Sequence, residues 1–269
     1  MRSPVAVIGL VLLAVLAVCA VFGPYLAPHD PGQLDLPNAL NGPSSGHWLG
    51  QDELGRDLAS RLIVGARTSA MIGLIVVSIS VVFGTLIGLL AGALGGVVDQ
   101  AIMRVVDILL AFPGILLAIA ITGILGPSRG NIIFALSLLG WTGFARLVRG
   151  QVLSFREREF VLAARGYGAS TGRIMWRHLL PNVLAPVLVQ ATFGMAGVIL
   201  SEASLSFLGL GPQGIPTWGA MLNEGVDYLL FAPHLSLVPG VAVMLTVLAF
   251  NFLGDALRDR LDPRAQPWL

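Results

Sequence analysis

TSAMIGLIVVSISVVFGTLIGLLAGALG, residues 68–95, is the stretch on which the fold turns. It carries no charged side chain and exceeds the roughly 20 residues a helix needs to cross a hydrocarbon core about 30 Å thick. A helix satisfies its own backbone hydrogen bonds, which lipid cannot do. Gly84, Gly88 and Gly92 recur every four residues, giving a smooth face on which a neighbouring helix can pack closely.

Comparable apolar runs lie on both sides, at 4–26, 103–126, 130–150, 183–210 and 235–257. The expected fold is all-α: a polytopic membrane protein with six transmembrane helices and both termini on one side. The first run has a rival reading as a signal peptide, with Leu16-Ala17-Val18-Cys19 faintly like a lipoprotein cleavage site. Its length exceeds the roughly 7–15 apolar residues of a signal core, which favours a retained span. Pro113 and Pro239 are expected to kink their helices, with neighbours satisfying the freed carbonyls.

Composition agrees. The chain has 269 residues, of which 55% are hydrophobic and 12% charged. A soluble domain carries about a quarter of its residues as charges, so this one has too little polar surface to cover a globule in water. The mean hydropathy is +0.83. Cys19 is the sole cysteine, which excludes an internal disulfide and a Cys-based metal site. All 16 basic residues are arginine. Without lysine there is no Walker A loop and no Schiff-base chemistry, so any ATP that drives this protein is hydrolysed by another chain. The net charge of +1 gives no reason to expect a nucleic-acid partner.

Arginine placement sets the orientation. With the N-terminus inside, the inner segments hold Arg2, Arg104, Arg146, Arg149, Arg156, Arg158, Arg165, Arg173, Arg177, Arg258, Arg260 and Arg264. The outer segments hold only Arg56, Arg61, Arg67 and Arg129. Both termini are therefore expected in the cytoplasm. The chain divides into an N-terminal span (1–27), an external loop with an interfacial helix (28–66), a core of five spans (67–258) and a tail (259–269). The core includes a long cytoplasmic loop at 151–182.

In the external loop, Ala27 to Gly50 is rich in Pro, Gly, Asn and Ser and reads as irregular chain. Asp52 is expected to cap a helix running through Arg67, on which Leu54, Leu58 and Leu62 recur at helical spacing. The alternative is a packed lead-in to the second span. In the inner loop, Arg156 to Tyr167 reads as a helix, and Gly168 stands where a helix end favours positive φ. Ser170 or Thr171 can cap a second helix, which Pro181 is expected to end. Ala163, Ala164, Gly166, Gly168 and Ala169 leave a low-relief surface into which another protein can fit.

Gly168-Ala169-Ser170-Thr171-Gly172 matches the pattern of a hydrolase nucleophile elbow, but it sits in an inner-surface turn with only His178 nearby. His29, His47, His178 and His234 show no spacing suited to a joint metal site, and no catalytic constellation is found. Glu202 lies within the fifth span and Asp107 near the inner end of the third; acids at that depth face a cavity or a partner. Glu202 has two readings: part of a translocation pathway with Ser201 and Ser204, or a structural hydrogen bond between helices. For Asp107 an ion pair with a nearby arginine is favoured. Glu224 and Asp227 are expected to be solvated.

The run from Glu159 to Ser170, with Arg173-Ile174 and Leu180-Pro181-Asn182 after it, resembles the EAA loop of ABC importer permeases. His47-Trp48-Leu49-Gly50-Gln51-Asp52-Glu53-Leu54-Gly55-Arg56-Asp57 looks like the external signature of C-type dipeptide and oligopeptide permeases. The segments Val106 to Pro113, Ser201 to Gly209, Trp218-Gly219 and Gly254 to Arg264 resemble that family too. The resemblance implies a type I ABC importer permease fold in the inner membrane. It also implies four partners besides lipid: a second homologous permease, two cytoplasmic ATPases that use ATP and Mg, and an external solute-binding protein. Glu159, Phe160, Ala163, Ala164, Arg165, Gly168, Ala169 and Ser170 would form the ATPase-docking surface. The family's Glu falls at Leu162, so that carboxylate is missing here. The rival is an ion-coupled carrier using Glu202 and Asp107, which would not need the long inner helix-turn-helix.

Overall fold

The computed structural model describes residues 4–261; Arg2 and the tail segment Asp262-Pro263-Arg264 lie outside the described residues. Among the described residues the regular structure is helical, with no strand, and 27–57 is mostly irregular chain. Five helices are long and apolar enough to cross a membrane: α1 (Pro4–Leu26), α2 (Leu58–Leu94), α5 (Arg129–Phe155), a continuous helix over Thr171–Phe207, and α10 (His234–Leu261). A sixth span exists if α3 (Gly96–Ala111) and α4 (Gly114–Leu125) are counted together, but they meet at 82°.

That bend is far sharper than the kink expected at Pro113 within the 103–126 run. The residue before a proline is pushed out of the helical region, and Phe112 is extended at φ −91°, ψ 139°. α4 starts afresh after Pro113. Pro239 lies inside α10 without ending it.

The helix expected from an Asp52 cap is also corrected. α2 begins at Leu58, and its cap is Asp57, whose carboxylate accepts the Ser60 N–H at 2.8 Å. Asp52 is folded back as an ion-pair partner, and residues 58–66 are the first turns of α2 itself. Pro181 likewise does not end a helix. α7 (Thr171–Ile174) passes through a π-helical segment, Met175–Leu179, into α8 (Leu180–Phe207). Because Pro181 has no N–H, a wider turn just before it accommodates the register change that a regular α-helix could not.

α2 packs along α5 through the glycine face read from the sequence. A Cβ on Gly84 would lie 2.5 Å from Phe144 Cβ, and one on Gly92 2.7 Å from Val152 Cγ1. Gly88 is pressed against the Ala145 carbonyl in the same way. α1 buries only Gly9 and Gly23 and leaves an apolar outer surface suited to lipid. Bidentate bonds from Arg149 to Asp99 (2.6 and 2.7 Å) tie α3 to α5.

Candidate coupling surface and translocation cleft

The segment between α5 and α8 forms helix, turn, helix. α6 (Glu159–Gly166) is followed by a turn at Gly168, whose φ of +77° an L-side chain rarely adopts. Ser170 caps α7, its hydroxyl accepting the Arg173 N–H at 3.4 Å. Arg165 in the last turn of α6 complements the negative helix terminus.

Glu159, Phe160, Ala163, Arg165, Gly168 and Ser170 are exposed, while Ala164 and Ala169 are half-buried. All eight expected docking residues are thus at least partly accessible. Leu162, Tyr167 and Trp176 are also exposed, and sequence reading passed over them as surface features. One residue of α6 turns inward. Val161 is fully buried in a cluster with Leu89 of α2, Phe144, Val148 and Val152 of α5, and Val183 and Val187 of α8. Ile174, Met175 and Leu179 complete that cluster. The exposed surface is therefore anchored by close-packed apolar contacts to three membrane helices at once.

Within α8, Glu202 is completely buried. It accepts hydrogen bonds from Ser69 Oγ of α2 and Ser206 Oγ, both at 2.8 Å. Of its two readings, this geometry matches the interhelical bond. Ser201 and Ser204 are partly exposed, and their hydroxyls donate to the Gly197 and Leu200 carbonyls at 2.9 and 2.8 Å. Ser201 lines a cleft of about 260 Å³ with Leu109, Leu110 and Phe112 at the α3–α4 bend and Leu139 and Gly140 of α5. Asp107 pairs with Arg146 at 2.6 Å, as expected.

At the other end of the bundle, Glu224 of α9 (Trp218–Val226) is not merely solvated. It meets Arg61 Nη1 at 2.6 Å and Arg56 Nη2 at 3.2 Å. Arg56 Nε also holds Asp52 Oδ2 at 2.7 Å, and Arg61 bonds the same carboxylate. This network joins the 27–57 loop, α2 and α9 across more than 160 residues of sequence, and no local pattern signals its link to Glu224. Burial first, then the nearby Asp52 and Glu224 carboxylates, raise the Glu53 carboxyl above its ordinary range, against the Glu53 backbone hydrogen bond and Arg56. A cavity of about 450 Å³ opens beside Arg56, Arg61 and Glu224.

Residues 84–267 match the family model described as binding-protein-dependent transport system inner membrane component. Residues 1–43 match the model for the N-terminal TM domain of oligopeptide transport permease C. The dipeptide transport system permease protein DppC of Alkalihalophilus pseudofirmus is 46% identical over 98% of this chain and 87% of its own length. The glutathione transport system permease protein GsiD of Pectobacterium atrosepticum is 44% identical over 98% and 88%. The probable D,D-dipeptide transport system permease protein DdpC of Escherichia coli is 42% identical over 98% and 89%. A solved chain of the inward-facing MetNI methionine ABC transporter aligns with a TM-score of 0.54 and 22% identity, covering 72% of this chain and 95% of that one. At that identity the likeness establishes the fold alone.

Proposed function

The chain belongs to the family of binding-protein-dependent transport system inner membrane components, and from that premise we propose that it imports di- or oligopeptides, or similar small solutes, by alternating access. It is an ABC importer permease and not an enzyme. Family membership also sets aside the ion-coupled carrier.

The carrying observation is the exposed surface from Glu159 to Ser170 mounted on the buried Val161 cluster. A partner ATPase docks there; ATP and Mg are used by that partner, and this chain binds neither. Closure of two ATPases moves the surface, and the cluster passes the movement to α2, α5 and α8. Glu159, one turn before Leu162, supplies the carboxylate for docking. A second homologous permease faces the Ser201–Ser204 side and completes the pathway, while Glu202 holds α8 against α2 behind it. An external solute-binding protein delivers the solute. The working division is an N-terminal span (1–27), an external loop (28–66), a permease core (67–258) with its coupling loop (151–182) and a tail (259–269). Both termini lie in the cytoplasm, and the peptide class rests on the names of the relatives.

A mild-detergent pull-down of the tagged chain from its native membrane, followed by mass spectrometry, tests the assembly. A second permease, two ATPases and a binding protein should accompany it. A chain that stays alone after crosslinking would overturn the proposal.

A further inference from the structure

We propose that His29, His47 and Asp57, on the outer cap, form a binding site for a divalent cation of the zinc type. The three residues are distant in sequence, yet one donor atom from each lies within 4.8 Å of the other two. His47 Nδ1 is 2.9 Å from Asp57 Oδ1, and His29 Nδ1 is 3.7 Å from Asp57 Oδ2. Donors around a tetrahedral Zn²⁺ at about 2.0–2.2 Å are themselves roughly 3.3 Å apart, so the separations need only small side-chain rotations. The imidazole rings are stacked at 4.5 Å, side by side toward the same carboxylate.

A second observation points the same way. His29 Nδ1 is shielded from solvent and has no hydrogen-bond partner. A buried nitrogen lone pair or N–H left unmatched is costly, and a cation at this point would satisfy it. The donors are also oriented in advance. Asp57 Oδ2 accepts from Ser60 N at 2.8 Å and Ser60 Oγ at 2.7 Å. The backbone N–H of His29 donates to Ser60 Oγ at 2.9 Å, and the backbone N–H of His47 donates to Ser44 Oγ at 3.1 Å, which fixes the main chain beneath both imidazoles. Such supporting bonds hold ligands in place in metal sites.

Two imidazoles and a carboxylate suit Zn²⁺, Ni²⁺ or Cu²⁺ better than Ca²⁺ or Mg²⁺. Three protein donors leave a fourth position for water or an incoming ligand. The other grouping of acids at this end, Asp52, Glu53 and Glu224, is already neutralised by Arg56 and Arg61. Occupancy would staple three segments: the exit of α1, the turn at His47 and the cap of α2.

The test uses the full chain in lipid nanodiscs, stripped with EDTA and titrated with Zn²⁺ by calorimetry and with Co²⁺ by visible spectroscopy. One Zn²⁺ should bind per chain with micromolar or tighter affinity and raise the thermal midpoint. His29→Ala and His47→Ala should each weaken binding by about tenfold or more, whereas His234→Ala, at the same end, should leave it unchanged. Absence of saturable Zn²⁺ binding by the unmutated chain overturns the proposal, and so does binding undiminished in the double variant.

Discussion

Glu202 accepts hydrogen bonds from Ser69 and Ser206, so removing it strands two hydroxyls inside the bundle. Glu202→Ala should lower stability by about 2 kcal/mol, since buried donors left unpaired cost about 1–3 kcal/mol. Glu202→Gln keeps an acceptor oxygen and should cost less, which thermal unfolding in detergent can compare directly. Asp57 acts at the same scale. Burial alone would raise its carboxyl, but hydrogen bonds from Ser60 and His47 outweigh it and hold the group below the ordinary range. Its stabilising effect is therefore fully present above the ordinary carboxylate pKa of about 4 and is lost as pH falls through the lower folded value. In unfolding measurements the advantage of wild type over Asp57→Asn should be constant at neutral pH and shrink only below about pH 4. An advantage that grew on acidification would show the sign to be wrong.

Between elements, the α2–α5 seam leaves no room for a side chain at Gly84, Gly88 or Gly92. Gly88→Leu should force the helices apart, at a cost of at least about 1–3 kcal/mol of overpacking, and reduce the yield of folded protein. This seam was legible in the sequence because a four-residue glycine repeat lies on one helix face. The α6–turn–α7 arrangement was legible for a similar reason: Gly168 and Ser170 are local signals read at their own positions. Pro113 and Pro181 show where such signals run out. Both residues are prolines in apolar runs, yet one breaks its helix by 82° and the other is absorbed by a π turn. That choice depends on what the neighbouring helices can accommodate. The outer network was invisible altogether, because Glu224 meets Arg61 only through the tertiary fold. Arg61→Ala would remove the more buried of the two cations that Asp52 and Glu224 share, leaving Arg56. Loss of one partner from a buried pair costs about 3–5 kcal/mol, and the retained Arg56 should hold the loss toward the lower end. A melting shift no larger than that of an exposed arginine substitution would contradict this assignment.

For the whole molecule, the two ends of the bundle have different characters. One end presents an exposed helix-turn-helix on a buried apolar cluster; the other carries a charged cap that ties the 27–57 loop to α2 and α9. Between them, Ser201 lines an open cleft at the α3–α4 bend. On the proposed mechanism, transport depends on transmitting movement from the first end to that cleft. The decisive measurement is peptide uptake and ATPase co-purification by a Gly168→Asp chain, with membrane insertion verified alongside. At φ +77° any side chain is strained, and the added carboxylate would stand on the docking surface itself. Loss of both uptake and ATPase association in a chain that still inserts is the predicted result; normal uptake with normal ATPase binding would contradict the coupling role of residues 159–170.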